Sequence, residues 1–194
     1  VDFLIKMSGT RQHCEIDFFG GEPLLNWDVV KQTVEYIEQE APKHNKIFKL
    51  TLTTNGMLLS QEKIDYVNEH KMSLVLSLDG REDVHNAMRP VAGSGANSYE
   101  YIAKNLVNAV KQRHGLEYYV RGTYTHKNLD FTKDVLAMSD LGFEHLSMEP
   151  VVGEEGDYVL REEDWPTLEK EYETLADIYL QRQKDGWGEK FNFF

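Results

Sequence analysis

Five apolar stretches of this chain each stop at small or polar residues, and those stops hold the groups with chemistry to offer. The sharpest is Ile16-Asp17-Phe18-Phe19 running into Gly20-Gly21-Glu22-Pro23. Two glycines let the backbone turn and leave its carbonyls uncovered, so that a ligand can approach closely. Glu22 places carboxylate acceptors beside those carbonyls, a set that can converge on one cationic donor group. Pro23 fixes the direction in which the chain leaves. The same residues also read as a plain strand-to-helix turn with an incidental acid. The choice depends on what else reaches the same place.

Four other stretches end in the same manner, at Thr54-Asn55-Gly56, at Ser77 with Asp79-Gly80, at Thr123 with Thr125, and at Glu149. The elements that deliver these stops alternate. Strands are expected at 16–19, 48–54, 73–78, 117–125 and 145–149, from short apolar or alternating runs rich in strand formers. The first run, with Phe18 and Phe19 adjacent, reads as buried. Helices are expected at 27–41 behind Asn26, after Ser60 with Ile64 and Val67, and after Ser98 with Ile102, Leu106 and Val110. Two more follow, at 129–141 closed by Gly142, and from Asp164-Trp165-Pro166 onward. Asn26, Ser60 and Ser98 are the expected caps. The last helix carries Trp165, Leu168, Tyr172, Leu175 and Tyr179 at a spacing that suits either a helix packed on a sheet or a coiled-coil seam. Residues 89–97 read as a loop. Strand–helix alternation repeated five times gives an α/β fold with a parallel sheet, and in such folds ligands gather at the carboxyl ends of the strands. All five stops then share one rim, which favours a site for a small polar ligand.

The 194 residues carry a formal charge of −12 and one cysteine, Cys14. Scattered basic residues on an acidic chain argue against nucleic acid and anionic membrane surfaces as partners. No signal peptide or apolar membrane span is evident, and one cysteine forms no intrachain disulfide, which together suggest a cytoplasmic, reducing setting. Cys14 reads as a small buried residue. Both ends look cut: residues 1–6 resemble the last turns of an amphipathic helix, and residues 191–194 are apolar with nothing after them to cover them. Residues 1–194 are therefore expected to be one partial core domain.

Gly20-Gly21-Glu22-Pro23, then Thr53-Thr54-Asn55-Gly56, then Ser77-Leu78-Asp79-Gly80 with His85 and Arg89 following, resemble the radical S-adenosylmethionine (SAM) superfamily. Within it the chain is most similar to peptide maturases with a cysteine-rich SPASM domain, above all those that form thioether cross-links in the SCIFF peptide. The similarity takes in Val120-Arg121-Gly122-Thr123 and Ser147-Met148-Glu149-Pro150-Val151. It implies a (β/α)6 TIM-like barrel, S-adenosylmethionine and a 4Fe-4S cluster as cofactors, a peptide substrate, and an electron donor such as a flavodoxin or ferredoxin. By position, Gly20, Gly21 and Glu22, with Pro23 behind them, would hold the methionine ammonium. Ser77 and Arg121 would meet the carboxylate or ribose, Asn55 would orient the ligand, and Met148, Glu149 and Val151 would lie near the adenine. Asp79 would either join this set or pair Arg89 and hold the following loop. His85 reads as structural and the other histidines as solvated.

The departures are equally informative. The family's CxxxCxxC loop and its strand are not in this sequence, and neither are auxiliary-cluster cysteines. The expectation is a partial barrel with five of six strands, cluster ligands outside this chain, no metal ligands or identifiable catalytic residue within it, and no catalysis by these residues alone. The strand at 15–19 would also have an open edge for another molecule. Three other readings stay open: an anaerobic sulfatase-maturating enzyme that forms formylglycine, a cluster-free barrel that only binds, and an α/β enzyme using Glu22, Asp79 and Glu149 as acid–base groups.

Overall fold

Six parallel strands form one sheet in the order β1 to β6, so each strand pairs with its sequence neighbours. The structure, a computed structural model, describes all residues from Val1 to Phe194. The strands are β1 (His13–Phe18), β2 (Ile47–Thr54), β3 (Ser73–Ser77), β4 (Tyr118–Tyr124), β5 (His145–Pro150) and β6 (Asn192–Phe193). The helices are α1 (Asp2–Met7), α2 (Trp27–Glu40), α3 (Gln61–Glu69), α4 (Glu82–Met88), α5 (Tyr99–Lys111), α6 (Thr132–Asp140) and α7 (Trp165–Lys184). Parallel neighbours require crossovers, and α2, α3, the α4–α5 pair, α6 and α7 supply them.

Alternation divides the sheet into two unlike faces. Leu50, Leu52, Leu74, Leu76, Val120, Leu146 and Met148 share one face and join the main hydrophobic cluster. The helices cover that face: Val30, Val34, Ile37, Ile64, Val67, Ile102, Leu106, Val135, Met138, Leu168 and Leu175 are all buried in the same cluster. The other face carries Asp17, Thr51, Thr53, Ser73, Ser77, Arg121, Thr123, Ser147 and Glu149. A strand such as Ser73-Leu74-Val75-Leu76-Ser77 therefore sends its leucines to the helices and its serines to the opposite wall.

Several expectations are corrected. A sixth strand is present: β6 pairs His145 with Asn192 and Leu146 with Phe193. Residues 191–194 are thus not an uncovered apolar tail, since Phe191 is fully buried and only Phe194 is largely exposed. The first strand is not buried. It is an edge strand pairing only β2, and Phe19 beyond its end is 64% exposed. Helix α4 occupies a stretch read as having no element. Asn26, Ser60 and Ser98 stand at helix starts without side-chain capping bonds. Asn86 of α4 caps α5 instead, its Oδ1 accepting from the backbone N–H groups of Ser98 (2.9 Å) and Tyr99 (3.0 Å). In α7, Leu168 and Leu175 are buried and the Tyr172 hydroxyl lies 3.0 Å from that of Tyr124, so the helix packs on this sheet. Trp165 leaves the stripe and is exposed. Cys14 is buried, as expected.

Candidate functional site

A cavity of about 290 Å³ opens at the carboxyl ends of β1 to β4. Gly20 and Gly21 follow β1, Thr53 to Asn55 end β2, Ser77 ends β3, Arg121 and Thr123 come from β4, and Arg89 reaches in from the end of α4. Four of the five sequence stops therefore meet in one place. A larger hollow of about 840 Å³ lies toward the amino ends, where Lys49 and Glu117 pair at 2.7 Å and none of the stops is present.

Gly20 and Gly21 adopt φ of +85° and +49°, and a Cβ on either would meet nothing within 4 Å. Glycine is required here by backbone conformation, and the space beside it stays open. Glu22 turns its carboxylate toward the protein. Its Oε1 accepts from the Leu24 N–H (3.0 Å) and the Thr54 hydroxyl (2.8 Å), while Oε2 accepts from the Asn55 N–H (2.8 Å). The side chain thereby ties the turn after β1 to the end of β2 and caps the short helical turn Pro23–Asn26. With two bonds on Oε1 and one on Oε2, a single acceptor position remains for a ligand. Asn55 is similarly committed, its Oδ1 accepting from the Met57 N–H at 2.9 Å.

Two ion pairs flank the cavity. Arg121 pairs with Glu149 through one terminal nitrogen, bringing the fifth stop to the rim. Asp79, 1% exposed, takes Arg89 as a fork, Oδ2 accepting from Nε at 2.6 Å and Oδ1 from Nη2 at 3.0 Å. Oδ1 also accepts from the Thr123 N–H at 3.1 Å. Asp79 thus anchors Arg89 and is not itself turned to the cavity, which supports the loop-holding role weighed for it. His85 lies behind, fully buried, with Nδ1 accepting from the Asp79 N–H at 3.3 Å and Nε2 unpartnered. Burial pushes its pKa below the ordinary histidine value, and Arg89 adds to that against the opposing pull of Asp79. Gly80 completes the turn at φ +106°, where a Cβ would stand 2.2 Å from the Asp134 Cβ. Arg81 then bonds both Asp134 (2.7 Å) and Asp130 (2.7 Å), fixing the loop to α6.

Other expected residues lie elsewhere. Met148 is buried on the helix-covered face, where its Sδ would be 2.5 Å from a Cβ on Gly122, so its side chain does not reach the rim. Val151 contributes backbone at the rim, its N–H donating to the Tyr124 carbonyl at 2.9 Å. Pro23 opens the helical turn behind the glycines. The histidines are not uniformly solvated: the His126 Nδ1 lies 2.9 Å from Asp164, and His70 Nδ1 2.7 Å from Glu38. In the sequence Arg89 reads only as the partner of Asp79, yet in the fold it lines the rim cavity.

The cavity suits the amino-acid part of S-adenosylmethionine. Gly20 and Gly21 bring backbone acceptors to it and Arg121, Arg89 and Ser77 bring guanidinium and hydroxyl donors, a set of the kind an ammonium and a carboxylate need, while Glu22 supports the turn from behind and is not in the lining. An iron–sulfur cluster is not accommodated by these residues. Such clusters need several thiolates, and Cys14 is alone and buried.

Residues 7–144 match the sequence model of the Radical SAM superfamily. A cysteine-type anaerobic sulfatase-maturating enzyme of Clostridium perfringens is 33% identical over 78 residues, 40% of this chain and 21% of that protein. The radical SAM cyclopropyl synthase TigE of Paramaledivibacter caminithermalis is 26% identical over 106 residues, 55% of this chain and 21% of that one. A solved structure of anSMEcpe with bound AdoMet superposes with a TM-score of 0.82 at 21% identity, covering 98% of this chain and 50% of that chain. The chain thus spans between a fifth and about half the length of these proteins.

Proposed function

The chain belongs to the radical SAM superfamily, and on that premise we propose that it is the cofactor-binding core of an enzyme that modifies a peptide or protein. The observation that carries this reading is the convergence of Gly20, Gly21, Ser77, Arg89 and Arg121 on one rim cavity, within the stretch that matches the family. When bound with its cluster, S-adenosylmethionine supplies a radical able to break a substrate C–H bond. The chain's own contribution is binding and orientation. The glycine carbonyls take the ammonium, the Arg121 and Ser77 donors take the carboxylate, and the Glu22 clip keeps the two halves of the cradle in register. The cluster ligands are assigned to sequence outside residues 1–194, and an electron donor such as a flavodoxin or ferredoxin would serve the whole protein.

The finer assignment we propose is thioether formation on a cysteine-rich peptide, in which a substrate carbon bonds to a cysteine sulfur. The formylglycine reading is kept beside it because a sulfatase-maturating enzyme is the 33%-identical relative and a related solved structure holds AdoMet with the Kp18Cys peptide. The experiment is anaerobic incubation of the reconstituted full-length protein with S-adenosylmethionine, reductant and each peptide type, read by mass spectrometry. A cross-linked product that retains all its sulfur supports the thioether reading. Loss of cysteine sulfur to an aldehyde supports the formylglycine reading and overturns the first. Absence of 5′-deoxyadenosine under all conditions would overturn the enzymatic proposal.

A further inference from the structure

We infer that His85 is a positioning residue of the rim: its neutral ring holds the Asp79 backbone through Nδ1, and a proton taken up on that nitrogen frees Asp79, and with it Arg89 and Thr123, from their places at the cavity. This deepens the reading of the rim as an S-adenosylmethionine cradle and rests on it.

A neutral imidazole offers one donor and one acceptor. The Asp79 N–H donates to Nδ1 at 3.3 Å, so Nδ1 is the bare nitrogen and the ring's proton sits on Nε2. The residue is fully buried, and Nε2 has no partner. An orphaned buried donor is costly, and no water reaches the ring to offset it. The whole hydrogen-bonding contribution of His85 is therefore the single acceptor at Nδ1. That acceptor serves the residue on which the rim's second arginine depends.

Protonation reverses the arrangement. Nδ1–H and the Asp79 N–H become two donors facing each other, and the carboxylate oxygen beside the ring is Asp79 Oδ2, at 3.9 Å. That oxygen already accepts from Arg89 Nε at 2.6 Å, while Oδ1 accepts from Arg89 Nη2 at 3.0 Å and from the Thr123 N–H at 3.1 Å. An imidazolium thus competes with the guanidinium for one carboxylate. Arg89 and Thr123 both line the rim cavity, so the competition is felt there. The titratable groups around the ring are Asp79 from the turn after β3, Arg89 from the end of α4, and Tyr99 from α5, whose ring stands edge-on at 5.7 Å. Asp79 and Arg89 act on the ring with opposite sign, and burial favours its neutral form. Glu82, one turn earlier on α4, acts on Tyr99, and Arg81 and Asp134 beside the same turn are bonded to each other. The rim is thereby held together at neutral pH and loosened by acid.

The test is calorimetric titration of the full-length protein with S-adenosylhomocysteine between about pH 7.5 and about pH 5, a range that spans the ordinary histidine value. Wild type is compared with His85→Asn, whose Oδ1 can accept at the Nδ1 position and gains no proton, with the unfolding midpoint of each as a folding control. The ratio of the two affinities at each pH cancels the titration of the ligand and of every other residue. Across the range wild type should lose roughly five- to twentyfold more affinity than the variant, the worth of about one buried hydrogen bond. Histidine 15N shifts of the ligand-free wild type should show the proton on Nε2 at neutral pH, and the amide signals of Asp79 and Thr123 should follow the ring's titration. Ligand should lower the pH of that titration, because opposition between proton and ligand is reciprocal. A merely structural histidine would shift the unfolding midpoint and leave the pH profile of binding parallel to that of the variant. Parallel profiles, a ring protonated on Nδ1 at neutral pH, or Asp79 and Thr123 signals indifferent to the ring would each overturn the inference. If His85→Asn does not fold, the wild-type shifts decide alone. If wild type binds at no pH, the cradle reading fails, and the ligand-free shifts still decide whether His85 holds Asp79.

Discussion

Replacing Glu22 by Gln should destabilise the protein as well as weaken its ligand binding. The Glu22 carboxylate serves three donors: the Leu24 N–H, the Thr54 hydroxyl and the Asn55 N–H. In Gln one oxygen becomes an NH2 group. With the amide nitrogen at the Oε2 position, the Asn55 N–H faces another donor. In the flipped orientation the Leu24 N–H is orphaned instead, while Thr54 can reverse its hydroxyl role. Either way one backbone donor is unsatisfied, costing about 1–3 kcal/mol, and the remaining bonds lose their charge assistance, for a total of about 2–4 kcal/mol. Urea unfolding followed by circular dichroism gives the stability change, and S-adenosylhomocysteine titration gives the binding change. From sequence alone the carboxylate reads as a ligand group, so that binding would suffer more than folding. A Glu22→Gln variant as stable as wild type to within about 0.5 kcal/mol would refute the clip and restore that simpler role.

Two further outcomes are expected. Phe191→Ala should lower stability by about 3–5 kcal/mol in the same unfolding assay, because Phe191 is fully buried and Arg182 lies 4.2 Å over its ring; a loss under about 1 kcal/mol would mean that β6 is not docked in solution. The His85 pKa is depressed by burial, so the unfolded chain gains a proton that the native state refuses once the pH drops below about 6.5. Its contribution is full above that value and declines as the pH falls toward the folded-state pKa. Relative to His85→Gln, wild type should therefore lose stability on acidification, and parallel stability curves for the two proteins would contradict this.

Much of the fold could be read from alternation. Ser73-Leu74-Val75-Leu76-Ser77 announces a strand with unlike faces, and the glycines and amides after each strand mark where it stops. The five strand stops also located the rim correctly, because chain order alone puts every carboxyl end of a parallel sheet on one side. What the sequence concealed was direction. Phe19 looks buried beside Phe18, yet β1 is an edge strand and Phe19 lies beyond its last pair. Met148 sits among rim residues in sequence, but the period of two turns it toward the helices. Asp79 and Glu22 are acids at a rim, and only hydrogen-bond geometry reveals that both face inward to protein donors. Strand β6 is two residues long and carries no periodicity to detect.

The charges at the rim constrain what can bind there. Arg89 is balanced by Asp79 and Arg121 by Glu149, so the two guanidiniums do not add up to a positive pocket. A phosphate bearing two charges would need net positive potential or a helix amino terminus aimed at it, and the pairing with Asp79 and Glu149 removes the first of these. A zwitterion asks for something different: local donors for its carboxylate, local acceptors for its ammonium, and near-zero charge between them. Arg89, Arg121 and Ser77 bring donors, and the backbone at Gly20 and Gly21 brings acceptors, to one cavity of about 290 Å³. On the proposed reading of the rim, the acids that neutralise the arginines would favour an amino-acid headgroup over a nucleotide phosphate.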